Sequence, residues 1–144
     1  MRMLKNIILV RISLFKHLQN MNQKELIKSK SLKFTPAREA LLDILEKSSK
    51  PISYEDVRDK ISMDKATFYR NTNAFENVGL LKSFESNNKK RYYYICKQPH
   101  GHFVCSVCNY IECLNEIDNL LVPKDYKIEN IIIYGRCAKC KEKN

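Results

Sequence analysis

Apolar positions recur at helical spacing through residues 22–79, then switch to short alternating or continuous runs typical of strands. The stretch from Asn22 runs directly into a capped helix. Thr35-Pro36 predicts the next helix start, a hydroxyl cap followed by proline at the first helical position, and Ala37, Leu41, Ile44 and Leu45 supply its apolar stripe. Pro51 breaks the chain. Ser53 and Asp56 resemble a capping box, ahead of a helix carrying Tyr54, Val57 and Ile61 on one side. Asp64 caps a further helix that Gly79 stops. The spacing predicts Phe68, Thr72, Phe75 and Val78 on its buried side, with Lys65, Thr67, Tyr69, Arg70, Asn71 and Asn73 opposite.

Two β-rich runs, Leu80–Glu85 and Arg91–Ile95, flank the polar segment Ser86–Lys90 and predict a hairpin. Helices followed by a hairpin describe a winged helix-turn-helix, in which the last helix enters the major groove and the wing approaches the backbone. Lys65, Thr67, Tyr69, Arg70 and Asn71 on that helix, with Lys89 and Lys90 on the wing, are therefore the candidate DNA contacts. After Pro99, strands are predicted around Phe103-Val104, Tyr110-Ile111 and Ile128–Tyr134, and a short helix through Leu114, Ile117, Leu120 and Leu121 that Pro123 ends. The fold class is thus mixed α/β (α+β), with residues 22–96 as a winged-helix domain and 97–144 as a smaller α/β domain. That second part has more apolar faces than so few residues can cover, which predicts a homodimer.

Residues 1–21 are expected to be an extension that is helical or disordered, with Met21 as an alternative start. Their apolar run Ile7–Val10 is interrupted by Arg11 and lacks a cleavage site, so neither a signal peptide nor a membrane span is expected. The chain of 144 residues carries a net charge of +10. Fifteen basic against ten acidic residues fall in 22–95, but seven against six in 96–144, so the excess lies in the half that suits a polyanion.

Cys105/Cys108 and Cys137/Cys140 form two Cys-x-x-Cys pairs. Each brings two thiols to one tight turn, and two such turns supply the four soft ligands of a tetrahedral structural zinc. A disulfide or redox role is the alternative; in the reducing cytoplasm, where this chain is placed, such pairs more often hold metal.

Taken together, Phe34-Thr35-Pro36-Ala37-Arg38, Lys65–Arg70, Val78-Gly79-Leu80, His100–Cys108 and Ile133–Cys140 resemble the ferric uptake regulator family of metal-dependent repressors, over about residues 32–140. The resemblance implies a winged helix, a dimerisation domain, the four-cysteine zinc and a separate sensing metal between the domains. It places Tyr69 and Arg70 on the family's DNA-reading pair. The sensing site departs from the iron-type pattern. Pro99 and Gly101 stand where that pattern has a histidine and an acidic residue, Lys50-Pro51 where it has a histidine, and Glu129 where another is expected. Cys96, His100, His102 and Glu112 remain as the candidate ligands, with Cys113 as an alternative to Glu112 and a buried strand cysteine as the other reading of Cys96.

Softer ligands favour zinc over ferrous iron or manganese as the second divalent metal, as in the family's zinc-uptake branch. The resulting expectation is a metal-responsive repressor that senses zinc and binds an operator in double-stranded DNA. The alternatives are an iron or peroxide sensor of the same family, a thiol oxidoreductase using the Cys-x-x-Cys pairs, and an RNA-binding zinc module.

Overall fold

The computed structural model describes residues 21–95, 100–114 and 122–142. Among the described residues four helices precede a hairpin: α1 (Gln23–Ser29), α2 (Pro36–Lys47), α3 (Tyr54–Val57) and α4 (Lys65–Asn77), then β1 (Lys82–Glu85) and β2 (Arg91–Tyr94). Local chemistry sets the helix starts. Asn22, Thr35 and Asp64 accept from the backbone N–H of Glu25, Arg38 and Thr67 at 2.9, 3.2 and 2.6 Å, satisfying donors that a first turn leaves open. Gly79 ends α4 with φ of +72°, a left-handed conformation that glycine adopts without strain.

α3 is a single turn, shorter than expected. Asp56 accepts from both the N–H and the hydroxyl of Ser53 at 2.8 Å, but the chain turns away after Val57, leaving Ile61 half-buried beyond the helix. The core of this half gathers Ile27, Leu41, Leu42, Leu45, Val57, Phe68 and Phe75 around Ile52, Leu81 and Tyr93. Val78, predicted in the core, is half-buried, and Leu42, outside the predicted stripe, is fully buried.

The hairpin pairs Phe84 with Tyr92 and Lys82 with Tyr94. Its loop is closed by Ser86 N–H to Lys90 O at 2.9 Å, and Lys89 takes a positive φ of 59° there. Side chains on a strand alternate. Tyr93 therefore enters the helical core, where its backbone exchanges hydrogen bonds with Ile52 at 2.8 and 2.9 Å. Tyr92 and Tyr94 emerge on the other face beside Phe84.

A second sheet has the order β4-β3-β5, from β3 (Gly101–Cys105), β4 (Ile111–Leu114) and β5 (Ile131–Gly135). β3 runs antiparallel to β4 and parallel to β5. Its core consists of Val104, Ile111 and Ile132 together with Phe84, Tyr92 and Tyr94 from the hairpin, so the wing covers one face of the sheet. Leu114, expected to begin a helix, instead ends β4, where it pairs with Gly101; Ile117, Leu120 and Leu121 lie outside the described residues. Among the described residues no helix is long and apolar enough to cross a membrane.

Phe68 is fully buried and meets the rings of Tyr54 and Tyr93 at 5.2 and 5.7 Å. Phe68→Ala should cost about 3–5 kcal/mol through lost contacts and the remaining cavity. The exposed neighbour Arg70→Ala should change stability by less than about 0.5 kcal/mol. Urea unfolding of both variants checks this; equal midpoints would contradict the assignment of the two faces of α4.

Candidate metal centres and DNA-reading face

The turn from β3 to β4 carries Cys105 and Cys108, and parallel pairing sets Gly135 of β5 beside Cys105, so the chain leaving β5 delivers Cys137 and Cys140 to the same place. The ligand atoms of all four lie within 4.8 Å of one another. Cys108 and Cys137 Sγ are 3.7 Å apart. Two sulfurs on a tetrahedral zinc with ~2.3 Å bonds would be about 3.8 Å apart, so the residues present fit that ion. The backbone N–H of Cys137, 3.4 Å from Cys105 Sγ, leads the N–H groups that pull the Cys105 thiol down to about 6. Cys140 is pushed up to about 12, first by burial and then by hydrogen bonds with the neighbouring thiols. A cation bound among the four would favour the thiolate form of each.

A second group comprises His100, His102 and Cys113, again with ligand atoms within 4.8 Å of one another. The Nε2 atoms of His100 and His102 face each other at 3.0 Å. Cys113 lies directly across the β3–β4 ladder from His102, whereas Glu112 lies across from Phe103. Opposed residues of an antiparallel pair share a face and successive residues alternate, so Glu112 is exposed on the side away from His102. This corrects the expectation for Glu112: the register brings Cys113, not the carboxylate, to the two imidazoles. Cys96 lies outside the described residues.

His102 is fully buried. Its ring stacks on Phe84 at 5.6 Å and meets Tyr94 edge-on at 4.4 Å. Burial, and secondarily the charge of His100, lowers its pKa to about 4, which keeps the ring neutral and its lone pair available through mildly acidic pH. Burial, helped by Glu112, raises the Cys113 thiol, which contacts Ser49 O at 3.8 Å.

On α4, Lys65, Arg70 and Asn73 are exposed, and Thr67 and Tyr69 half-buried. Lys65 Nζ hovers 5.6 and 5.9 Å from the rings of Tyr54 and Tyr69. Burial is the main cause of the raised Tyr69 pKa, so its phenol stays protonated as a donor. Lys89 and Lys90 are exposed at the tip of the wing.

Asn71 departs from expectation. It is only 7% exposed, and its Oδ1 accepts from Arg38 Nε at 3.2 Å, while Arg38 Nη1 donates to Lys33 O at 2.6 Å. Asn71 thus ties α4 to the start of α2 rather than facing outward. Its place three residues after Phe68 and four before Phe75 was the signal for this in the helical period. The role of Arg38 was missed as well.

The chain matches the family model described as the ferric uptake regulator family over residues 29–129. It is similar to the ferric uptake regulation protein of Staphylococcus epidermidis, at 25% identity over 130 residues covering 83% of this chain and 94% of that protein. Likewise it is 25% identical over 130 residues to the peroxide-responsive repressor PerR of Staphylococcus aureus, covering 81% of this chain and 88% of that one. The fold is shared with the Helicobacter pylori ferric uptake regulator, with a TM-score of 0.64 at 20% identity, covering 89% of this chain and 94% of the other.

Cys137→Ser should remove one ligand of four and, with it, much of the folding free energy that a structural zinc contributes, on the order of 10–16 kcal/mol for complete sites. The expected result is zinc loss with amide protection collapsing in β3–β5 but persisting in α2 and α4, read by metal analysis and hydrogen exchange. Unchanged zinc content and protection would remove the four-cysteine site from consideration.

Proposed function

The chain belongs to the ferric uptake regulator family and is a transcriptional regulator rather than an enzyme, and on that premise we propose that it is a zinc-responsive repressor of metal-uptake genes. It acts in the cytoplasm as a homodimer on double-stranded DNA. The observation that carries the zinc reading is the convergence of His100, His102 and Cys113 beside the wing. Two imidazoles and a thiolate are a soft donor set, suited to zinc and poor in the oxygen ligands that suit manganese or ferrous iron. Bound there, the metal would supply a positive charge and strong bonds joining β3 to β4. The four cysteines would hold the structural zinc.

The DNA reading rests on α4 and the wing. Arg70 is exposed and suited to a guanine edge or phosphate, Tyr69 presents a protonated phenol and ring, and Lys65, Thr67, Lys89 and Lys90 supply donors and charge. A dimer is supported by Tyr126, Ile128, Ile133 and Tyr134, large apolar residues left exposed on and before β5. Two copies would place two reading helices on successive major grooves. Metal then acts as a population shift, binding the DNA-competent arrangement better than the alternatives.

The staphylococcal relatives are named for iron and for peroxide, which favours an iron- or peroxide-sensing repressor as the second reading. That reading needs a carboxylate among the ligands, and Glu112 points the other way.

Arg70→Ala should weaken binding to the preferred duplex by ~1–3 kcal/mol and relax discrimination at one position. Lys89→Ala or Lys90→Ala should lower affinity for all sequences and reduce the salt slope by about one. Fluorescence anisotropy across a salt series separates the two outcomes, and parent-like binding by Arg70→Ala would exclude α4 as the reading helix.

For the sensor, Cys113→Ser should reduce the zinc response of DNA binding on the order of 10–100-fold, as a hydroxyl is a poor substitute for thiolate. Glu112→Gln should leave the response in place. The reverse result, measured as DNA affinity against free zinc, would favour the iron-type reading.

A further inference from the structure

We propose that Phe84 and Tyr94 are positioning residues that couple metal occupancy of the His100–His102–Cys113 cluster to the seating of the wing. The inference rests on that cluster being the sensing site. Among the described residues all its members follow residue 99: His100 precedes β3, His102 lies on β3 and Cys113 on β4. Ligation by these three therefore ties together strands that the sheet already joins. Among the described residues no ligand lies on the helices or the wing, and what reaches the DNA-facing half from these three ligands runs through packing.

Packing at His102 comes from the wing. Phe84 of β1 stacks on the imidazole at 26° between planes, and Tyr94 of β2 meets it edge-on at 63°. A ligating histidine is ordinarily held in orientation by a hydrogen bond from its second ring nitrogen. His102 Nδ1 is buried and has no hydrogen-bond partner among the described residues. The two aromatic rings perform that orienting task. If the wing lifts, His102 loses its wall and its fixed direction together; with the wing seated, Nε2 faces His100.

The same residues lead directly to the DNA-facing tip. Phe84 stands two residues before Ser86, whose backbone closes the loop presenting Lys89 and Lys90. The wing is also stitched to the segment around β5: Tyr134 Oη donates to Glu85 O at 2.7 Å, and the Tyr94 hydroxyl bonds Asn130 Oδ1. A contact between the cluster and the helical half, the Cys113 thiol on Ser49 O, is a weak sulfur donor bond that disappears when the thiol is deprotonated to ligate. Seating the wing and ordering the ligand are thus one event, and the coupling is reciprocal: DNA on the wing tightens zinc binding by the factor by which zinc tightens DNA binding.

The test uses the full chain with its four-cysteine zinc intact and a duplex selected from random sequence by zinc-loaded protein. Zinc affinity is measured against a chromophoric chelator with and without that duplex, and duplex affinity with and without zinc. Phe84→Leu keeps apolar volume without the ring. It should take the coupling factor from a parental value on the order of 5–150-fold to within about twofold of none, read from both arms of the cycle. Phe84→Tyr, which restores a ring, should restore the coupling.

Hydrogen exchange on the unmodified protein is a second measurement, independent of whether the variant folds. Zinc should raise protection across residues 82–94, and unchanged protection there overturns the proposal. Coupling abolished by His102→Ala but parent-like in Phe84→Leu overturns the aromatic link alone. A parent with no zinc effect on duplex binding overturns the sensing-site reading and the link with it.

Discussion

The strand Arg91–Tyr94 buries both of its faces, and the placement of the rest of the molecule follows from where its tyrosines go. An antiparallel hairpin usually leaves one face to water. Here Tyr93 completes the helical core against Phe68, while Tyr92 and Tyr94, with Phe84 of the paired strand, roof the second sheet. That sheet has three short strands, and on the face beneath the wing its own apolar side chains in this cluster are Val104, Ile111 and Ile132. Small units of this kind need an additional covering or a metal to hold together. The wing supplies the covering, and the four-cysteine cluster offers a site for the metal.

Register does the remaining work. The parallel pairing of Cys105 with Gly135 gathers thiols from segments separated by 28 residues, and the antiparallel pairing of His102 with Cys113 gathers the second cluster. A slip of one residue in β4 would turn Cys113 outward and Glu112 inward, exchanging a sulfur donor for an oxygen donor. The proposed preference for zinc over iron is therefore a property of strand pairing as much as of composition.

Features set by local chemistry were legible in the chain. Thr35-Pro36, Asp64 and Gly79 marked helix ends because caps and left-handed turns depend on a few adjacent residues. The hairpin and the two cysteine turns were legible for the same reason. Misreadings fell where a partner distant in sequence decides the outcome. Asn71 was assigned outward because it is polar, yet Arg38, 33 positions away, gives it a partner at the edge of the core. Leu114 carries an apolar pattern that suits a helix but is drawn into β4 by Gly101. Glu112 and Cys113 stayed unresolved until the ladder chose between neighbours, and no single stretch of sequence reveals that Phe84 and Tyr94 enclose His102.

The magnitude of that enclosure bears on regulation. Aromatic pairs contribute ~0.5–1.5 kcal/mol beyond their buried area. Two such contacts on His102 give about 1–3 kcal/mol, the range in which allosteric couplings are ordinarily found. A link much stronger would seat the wing whether or not the site held metal, and the equilibrium would have nothing left to respond. One much weaker would leave His102 unoriented, since its second nitrogen has no hydrogen bond among the described residues to take over. The aromatic contacts lie between these limits. A sheet clipped by the proposed structural zinc can then share its interior with a wing whose seating responds to the second site, because the sheet is joined by backbone ladders and the wing rests on it through ring contacts and a few side-chain hydrogen bonds.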